Sequence, residues 1–346
     1  MKSMDTAKSL FERFLPAPRN GGFRMLDYWV WCGSVIKGED GRFHMFASRW
    51  PKSLPMHPGW IVASEVVRAV SYTPEGPYSF EEVVLPARGA EYWDGRSTHN
   101  PHIMKIGHTY VLYYMGSTHP FADVIGEELT LDDPRTIVGR SNKRIGIATS
   151  NSVFGPWQRY DTPIQPTRPG HFDSFLTSNP APCLNPDGSI LLIYKARSYE
   201  GYKHGEMTIG ASRGDTYMGP YQVQLEGPIF PPETFHLEDP FVWKTSQGYE
   251  LIAKDMDGTL CGEKHCGIHA FSPNGIDWML QSNPKAYSRT VLWDDGVVQT
   301  MGSLERPFLL FENGKPTHLF AATADGPGGF QQATETWNMV IPIGNE

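Results

Sequence analysis

Two adjacent carboxylates precede a proline and an apolar run in the segment His236-Leu237-Glu238-Asp239-Pro240-Phe241-Val242-Trp243. A second apolar segment begins at Tyr249 after a polar turn. This second segment alternates apolar and polar residues, which is typical of a half-buried β-strand. The two segments therefore predict a hairpin whose first strand begins at Glu238 and Asp239.

The same arrangement recurs along the chain. Apolar runs follow a residue pair that ends in proline at Asn100-Pro101, Asn179-Pro180, Asp239-Pro240 and Arg306-Pro307. In every copy a second strand begins nine residues after the proline, at Tyr110, Ser189, Tyr249 and Pro316. Counting nine residues back from the strand that begins at Phe43 places Ser34 in the proline position of a fifth copy. The sequence therefore predicts five hairpins.

A further motif follows several of these hairpins. It consists of a strand of small residues, a turn containing Gly and Pro, and an aromatic residue that opens another strand. Clear copies span 68–78, 147–157 and 209–221, and a looser copy spans 268–278. Hairpin and motif together make a four-stranded sheet, and repeated sheets of this size form the blades of a propeller. A β-sandwich with chance similarity between turns is the alternative, but it does not explain the constant spacing.

We therefore predict an all-β, five-bladed β-propeller over residues 23–346, preceded by a short helical segment over residues 1–22. Within that segment, residues 5–15 predict an amphipathic helix with one apolar face, formed by Leu10, Phe11, Phe14 and Leu15. That face has to be buried. Packing on the propeller is the usual outcome, and packing on a second subunit to form a homodimer is the alternative.

Composition limits the classes of partner. The chain has 346 residues with 35 Gly and 29 Pro, which is typical of a turn-rich globular protein. Its net charge of −8 argues against nucleic acid, because binding to nucleic acid needs a basic surface. No apolar run is long enough to predict a membrane span. Residues 1–22 lack the apolar core of a signal peptide, so we expect a cytoplasmic protein, or a periplasmic or secreted one if a leader has been removed.

Four residues of types that bind zinc lie close together in the sequence, at Cys261, His265, Cys266 and His269. Their spacing matches none of the common zinc signatures, and a free cysteine often acts as a small buried apolar residue. A disulfide is expected even less than a metal in a cytoplasmic chain. We predict no metal ligands and no required cofactor, with a structural divalent cation near the propeller axis as the alternative.

Acidic residues recur near the predicted starts of the inner strands. Asp173 lies seven residues before its proline, and Asp27 lies seven residues before Ser34. Equivalent positions in different blades point toward the same end of the axis, so both rank above an ordinary aspartate. Glu305 matches Glu238, since each lies two residues before a proline. An ion pair between Glu305 and its neighbour Arg306 is the structural alternative.

Other residues near the same strand starts are candidates for binding a substrate. They are Trp29, Trp31, Trp93, Asp94, His99, His102, Asp239, Trp243, Glu305 and Arg306. Each tryptophan offers a flat apolar face, although packing between blades is its default role. The histidines act more often as hydrogen-bond partners than as catalysts. The loop 50–60 predicts a pocket wall, and the charged insertion 118–144 predicts a solvated segment at the rim.

Five blades with acids at their strand starts resemble the five-bladed propeller glycoside hydrolases, the group that holds families 32, 43, 62, 117 and 130. The motifs Glu238-Asp239-Pro240 and Leu304-Glu305-Arg306-Pro307 and the Gly-Pro-Tyr/Trp turns carry the resemblance, over about residues 23–343. In families 43 and 117 it implies three acids from blades one, three and four, which fall on Asp27 as base, Asp173 as pKa modulator and Glu238 as acid. Family 43 has its acids next to the proline, where this chain has Gly33 and Asn179. The N-terminal helix is similar to that of family 117, whose members dimerise through it.

The resemblance implies an enzyme of polysaccharide degradation that cleaves a glycosidic bond of an oligosaccharide. Such cleavage needs one carboxylic acid and one carboxylate, with different pKa values. We expect an exo-acting, inverting hydrolase, with the carboxyl groups of Asp27 and Glu238 about 6.5–9.5 Å apart. Two alternatives stay open. One is a phosphorylase, with phosphate bound by Arg49, Arg96 and Arg306, and the other is a propeller that binds carbohydrate without catalysis.

Overall fold

Five antiparallel sheets surround a common axis in the part of the chain that the structure, a computed structural model, describes: residues 8–124, 128–201 and 203–345. Blade one contains β1 (Tyr28–Lys37), β2 (Phe43–Pro51), β3 (Glu65–Ser71) and β4 (Ser79–Leu85). Blade two contains β5 (Ser97–Ile106), β6 (Thr109–Ser117), β7 (Arg144–Ser150) and β8 (Gln158–Arg159). In both blades the strands are hydrogen-bonded in chain order. The predicted five-bladed propeller is confirmed.

The remaining blades follow the same plan with short insertions. Blade three contains β9 (Leu176–Leu184), β10 (Ile190–Arg197), β13 (Thr208–Gly214) and β14 (Tyr221–Val223). A small separate hairpin of β11 (Tyr199–Glu200) and β12 (Lys203–His204) lies between β10 and β13 in the chain. Blade four contains β15 (Leu237–Lys244), β16 (Tyr249–Asp255), β17 (Gly267–Ser272) and β18 (Met279–Tyr287). A hairpin of β19 (Thr290–Leu292) and β20 (Val298–Thr300) leads to blade five, which contains β21 (Ser303–Glu312), β22 (Lys315–Ala324) and β23 (Thr336–Pro342).

Helices are short and lie outside the blades. They are α1 (Met56–Ala63), in the loop 50–60 and just beyond it, α2 (Pro134–Ser141), in the insertion 118–144, and two 3-10 turns at Phe11–Arg13 and Gly329–Gln332. Asp133 caps α2, because its side chain accepts a hydrogen bond from the backbone N–H of Arg135. Among the described residues, no helix has the length and apolar character needed to cross a membrane.

The N-terminal segment packs along the last strand of blade five. The predicted helix over residues 5–15 is reduced to the single 3-10 turn at Phe11–Arg13, and residues 5–7 lie outside the described residues. Beyond the turn, Phe14 pairs with Ile343 and Phe23 pairs with Asn338 of β23. Leu10 is buried in the core that blade five shares with blades one and four. The segment therefore packs on its own propeller, beside the three-stranded sheet of blade five. A homodimer stays a prediction.

The inner strand of each blade is irregular at one equivalent point. Its pairing register shifts there, and one residue has a positive φ: Cys32 (56°), Asn100 (54°), Asn179 (52°), Asp239 (57°) and Arg306 (53°). A positive φ is uncommon for residues other than glycine, and Asn and Asp tolerate it best. In blades two to five the residue with positive φ comes directly before the proline. In blade one that residue is Cys32, so Gly33, and not Ser34 as predicted, occupies the proline position. The second strand of blade one therefore begins ten residues after this position instead of nine. The position next to the proline is therefore Cys32 rather than Gly33.

Candidate functional site

Five side chains, one from each blade, meet at the axis and form what we call the axial ring: Cys32, Asn100, Asn179, Asp239 and Arg306. The Cys32 thiol donates to Asn100 Oδ1 at 2.7 Å, and Asn100 Nδ2 donates to Asn179 Oδ1 at 2.6 Å. Asn179 Nδ2 donates to Asp239 Oδ1 at 2.6 Å, and Asp239 Oδ2 accepts from the Arg306 backbone N–H at 3.3 Å. Each ring residue is the one with positive φ, so the bulge in each inner strand aims its side chain at the axis.

A cavity of about 360 Å³ lies against this ring, which is within the range of pockets that bind small molecules. The loop 50–60 forms part of its wall through Trp50, Met56, His57 and Trp60, as predicted. The insertion 118–144, predicted to lie at the rim, contributes Arg140 and Lys143. We call this space the axial cavity.

Two glutamates stand next to the ring at equivalent positions. Glu238 on β15 and Glu305 on β21 each precede their ring residue, and both line the axial cavity. Lys254 on β16 binds both of them: its Nζ lies 2.8 Å from Glu238 Oε2 and 3.0 Å from Glu305 Oε2. Lys195, which reaches across from β10 of blade three, donates to Glu238 Oε1. The acids of blades four and five thus share one ammonium group.

The pKa values of the two glutamates are shifted in opposite directions. Burial acts to raise the pKa of Glu238, but the charges and hydrogen bonds of Lys195 and Lys254 hold it well below its ordinary value. Burial raises the pKa of Glu305, and Lys254 offsets only part of that increase. Burial acts to lower the pKa of Lys254, but Glu238, Glu305 and Asp239 raise it well above its ordinary value. At neutral pH Glu238 is ionised, and Glu305 holds a proton more readily than an ordinary glutamate.

His99 supports the wall of the axial cavity. Its Nδ1 lies 2.8 Å from Ser64 Oγ, its Nε2 lies 3.6 Å from Cys32 Sγ, and its ring stacks on Trp60 with 4.8 Å between the centroids. Burial lowers the pKa of His99 well below its ordinary value, so the imidazole is neutral near pH 7. These contacts fit the role of hydrogen-bond partner.

Several predicted site residues line the axial cavity: Trp31, His99, Glu238, Asp239, Glu305 and Arg306. Others do not: Asp27, Trp29, Trp93, Asp94, His102, Asp173 and Trp243. Of the predicted catalytic triad, the structure brings only Glu238 to the cavity. Asp27 is exposed in the bend that precedes β1.

The position seven residues before the proline is structural in blades two and three. Asp173 is fully buried, where it accepts from Arg168 Nε at 3.0 Å and from the Tyr194 hydroxyl at 3.1 Å. Asp94 occupies the same position in blade two and accepts from Arg88 Nε and the Tyr114 hydroxyl, both at 2.7 Å. An aspartate at this position therefore anchors a neighbouring strand. In neither blade does this aspartate line the axial cavity, because it lies before the inner strand begins.

The other predicted binding residues outside the cavity pack between elements. Trp29 Nε1 donates to the Leu54 carbonyl, and Trp93 stacks on Tyr114 with 5.6 Å between the centroids. His102 stacks on Phe241 at 5.6 Å, and Trp243 packs against His269 at 5.5 Å. The arginines suggested for phosphate are also engaged elsewhere, Arg49 with Glu65 and Arg96 with Asp123. Arg306 is the exception and lines the axial cavity.

Sequence reasoning identified Arg306 but missed the other cations of the cavity. Lys195 and Lys254 each follow an apolar stretch of a second strand, Ile190–Tyr194 and Leu251–Ala253. Lysine is almost never buried unless it is paired, so a lysine in such a strand indicates a buried acid nearby. This signal was available in the sequence. No comparable pattern indicated Arg140 and Lys143, which follow from the packing of α2.

The cysteine-rich loop departs from prediction. Cys261 and Cys266 are joined by a disulfide, whereas the sequence favoured free thiols. His265 lines the axial cavity, but His269 Nε2 lies 3.0 Å from Glu250 Oε2, so the four suggested zinc ligands do not converge. Among the described residues, Asp255, Cys261 and Cys266 form the one group of three potential metal ligands. Its sulfurs bond each other, and its carboxylate accepts the backbone N–H of Gly258 and Leu260, both at 2.9 Å.

No protein-family model matches the sequence, and no curated protein matches it. Solved structures do match. Zg3597, a family 117 glycoside hydrolase from Zobellia galactanivorans, is 15% identical with a TM-score of 0.66, over 95% of this chain and 89% of that one. The native Bacillus subtilis arabinanase Arb43A is 13% identical with a TM-score of 0.58, over 95% and 96%.

A third match is the GH43_1 enzyme from Xanthomonas citri. It is 12% identical with a TM-score of 0.59, over 94% of this chain and 91% of that one. At these identities the likeness establishes the fold. The resemblance of this chain to the five-bladed propeller glycoside hydrolases is confirmed at that level.

Proposed function

We propose that this protein is a glycosidase that cleaves a terminal sugar from an oligosaccharide in the axial cavity. One observation carries the proposal: the carboxyl groups of Glu305, which is buried, and Glu238, which is half-buried, share the Lys254 ammonium and have pKa values shifted in opposite directions. Glycosidic cleavage needs one carboxyl group that donates a proton and one that stays ionised. The fold shared with known glycoside hydrolases supports the same activity.

The pKa directions suggest which carboxyl group does what. Glu305, whose pKa is raised, is the proposed general acid that protonates the leaving oxygen. Glu238, held ionised by Lys195 and Lys254, is the proposed carboxylate that stabilises or attacks the anomeric carbon. This exchanges the role that the family resemblance implies for Glu238. The reason is physical, because a carboxylate bound to two ammonium groups is a poor proton donor at neutral pH.

The spacing of the pair bears on stereochemistry. Because both carboxyl groups bind one nitrogen, at 2.8 and 3.0 Å, their nearest oxygens lie no more than about 6 Å apart. Retaining enzymes hold their carboxyl groups about 5–5.5 Å apart and inverting enzymes about 6.5–9.5 Å apart. We therefore propose retention, with Glu238 as nucleophile, in place of the inversion expected from the resemblance. Exo action is proposed because residues of the axial ring line the cavity, and a cavity that ends at this ring would admit only the end of a sugar chain.

A panel of oligosaccharides and aryl glycosides, read by product analysis, tests the activity. Glu305→Gln and Glu238→Gln should each lower kcat by about 10²–10⁴-fold on the substrate that is cleaved. Glu312→Gln, at an exposed end of the same strand as Glu305, is the matched control and should leave kcat unchanged. NMR of the first-formed anomer tests retention. The proposal is overturned if no glycoside is cleaved, or if both variants match the wild type.

A further inference from the structure

The axial cavity contains more positive than negative side chains, and from this we infer that its ligand carries an oxyanion, a carboxylate, sulfate or phosphate, which binds Arg140, Lys143 and Arg197. The inference rests on the proposed function for its place in catalysis. Binding of an oxyanion is tested separately from the proposed glycosidase activity.

The charges of the cavity do not balance. Its cationic lining residues are Arg140, Lys143, Lys195, Arg197, Lys254 and Arg306. Its acidic lining residues are Glu238, Asp239 and Glu305. This excess of cations stands in a chain whose net charge is −8, so it does not follow from composition.

The excess of cations is confined to one part of the wall of the axial cavity. Lys195, Lys254 and Arg306 each lie within ion-pair distance of one or more of the cavity acids. Within residues 8–124, 128–201 and 203–345, no carboxylate forms an ion pair with Arg140, Lys143 or Arg197. We call these three residues the cation triad. They come from two adjacent blades: Arg140 is in α2 and Lys143 lies two residues after its end, in the insertion of blade two, and Arg197 ends β10 of blade three.

Within the cation triad Lys143 is buried, and Arg140 and Arg197 are half-buried. Lys143 is 5% exposed, and its Nζ lies 3.9 Å from the centroid of the Trp60 ring. Burial lowers the pKa of Lys143 well below its ordinary value, and the charges of Lys195, Arg140 and Arg197 lower it further. Burial also lowers the pKa of Arg140, with Arg197 adding to the effect. Buried cations that repel one another cost folding free energy, and a bound anion would offset that cost.

The side chains of the triad suit an oxyanion. The planar guanidinium groups of Arg140 and Arg197 can each donate two parallel hydrogen bonds to a carboxylate, sulfate or phosphate. The His204 imidazole, hydrogen-bonded to Arg197 Nη1, helps to orient the second of these groups. Lys143, Arg197 and Glu238 line the same cavity, so a bound oxyanion would share it with the proposed catalytic carboxyl groups.

Two sources could supply the oxyanion. It can be an acidic substituent of the sugar that is cleaved, as in a uronic acid or a sulfated sugar. It can also be free inorganic phosphate. Glu238 would first displace the leaving oxygen, and a phosphate oxygen would then form the new bond to the anomeric carbon as the bond to Glu238 breaks. In that case the leaving oxygen takes its proton from Glu305 and the product is a sugar phosphate. The chemistry that the cation triad recognises is the same in both.

Calorimetric titration of the full chain with sodium glucuronate, galacturonate, inorganic sulfate and inorganic phosphate tests binding, with glucose as the neutral probe at equal ionic strength. At least one anion should bind and glucose should bind more weakly. Arg140→Gln and Lys143→Met should each weaken binding tenfold or more. Arg135→Gln removes the same charge from α2, but Arg135 is paired with Asp133 outside the cavity, so this control should bind like the wild type.

Activity assays separate the two sources. Preference for aryl uronides or sulfated sugars over neutral aryl glycosides, without added phosphate, identifies a substituent. Release of sugar phosphate from a neutral oligosaccharide, only when phosphate is present, identifies free phosphate. If a variant fails to fold, titration of the wild type at several sodium chloride concentrations still tests the inference. Anion binding at a cationic site must weaken as the salt concentration is raised.

Two results overturn the inference: no anion binds more tightly than glucose, or both cavity variants bind like the Arg135 control. Cleavage of neutral glycosides that is independent of every anion would also overturn it while leaving the proposed glycosidase intact. Anion binding to a protein that cleaves nothing would support the inference and overturn the proposed function.

Discussion

Asn179 donates a hydrogen bond of 2.6 Å from Nδ2 to Asp239 Oδ1 and thereby joins the inner strands of blades three and four. Asn179 is 5% exposed and Asp239 is 2% exposed, so neither group can exchange its partner for water at little cost. Asn179 also accepts a bond from Asn100, which makes it the link between three blades. An amide suits this place because it donates on one side and accepts on the other.

Asn179→Ala should therefore destabilise the protein. It leaves the Asn100 amide and one Asp239 oxygen without their partners, and each buried orphan costs about 1–3 kcal/mol. Urea unfolding should show a loss of about 2–6 kcal/mol for the two groups together. Asn151→Ala, at an exposed loop position, is the control and should change the free energy of unfolding by less than about 0.5 kcal/mol. Equal stability of the two variants would show that the axial ring contributes nothing.

Lys254→Met should move the pH–activity profile to higher pH. Lys254 lowers the pKa of both Glu238 and Glu305, so its loss raises both values. The acidic limb reports ionisation of the proposed nucleophile and the alkaline limb reports loss of the proton from the proposed acid. Both limbs should shift the same way in a profile of kcat/KM. Lys244→Met, exposed on β15, should leave the profile in place, and a shift toward lower pH would contradict the assigned roles.

Stability should depend on pH in opposite senses at the two glutamates. The folded-state pKa of Glu238 is lowered, so its stabilisation is complete above its unfolded value of about 4.3 and is lost as pH falls through the folded value. The folded-state pKa of Glu305 is raised, so its stabilisation is present at low pH and is lost as pH rises through that value.

Urea unfolding of the glutamine variants at several pH values measures both effects. The stability lost in Glu238→Gln, relative to the wild type, should shrink as pH falls below about 4.3. Glu305→Gln should instead gain on the wild type as pH rises. The same pH trend in both variants would rule out the opposite shifts on which the proposed function rests.

Asp173→Asn and Asp27→Asn should behave differently from what the family resemblance implies. The first weakens a buried contact with Arg168 and Tyr194, so it should lower the unfolding temperature while kcat of the folded protein changes less than severalfold. The second alters an exposed side chain and should change neither quantity. A loss of three orders of magnitude in kcat for Asp27→Asn would return Asp27 to the catalytic set.

Removal of residues 1–23 should destabilise blade five. The deletion takes away the bridge between Phe23 and Asn338 and the hydrogen bonds from Leu15 N–H to Pro342 and from Ala17 N–H to Leu292. Thermal unfolding should occur at a lower temperature than in a control that lacks only residues 1–7. Light scattering of the full-length protein tests the predicted homodimer at the same time, and a monomeric mass at every concentration would exclude it.

The number and order of the blades were predictable from local sequence patterns. The constant nine-residue spacing and the Gly-Pro turns are such patterns, and a hairpin forms between residues that are close in the chain. Glu238 and Glu305 were recognisable as a pair for the same reason, because both occupy one register position of a repeated unit. The wall formed by the loop 50–60 also followed from local composition.

Which side chains meet at the axis depended on tertiary packing. Lys195 and Glu238 come from different blades, and the Asn179–Asp239 bond requires that the propeller be closed. The bulge in β15 gave Asp239 its place in the axial ring, whereas Asp27 and Asp173 lie before their inner strands begin, although all three stood near predicted strand starts. A shift of one residue reverses the face on which a side chain lies, and that shift is set by pairing with the neighbouring strand rather than by the residue itself.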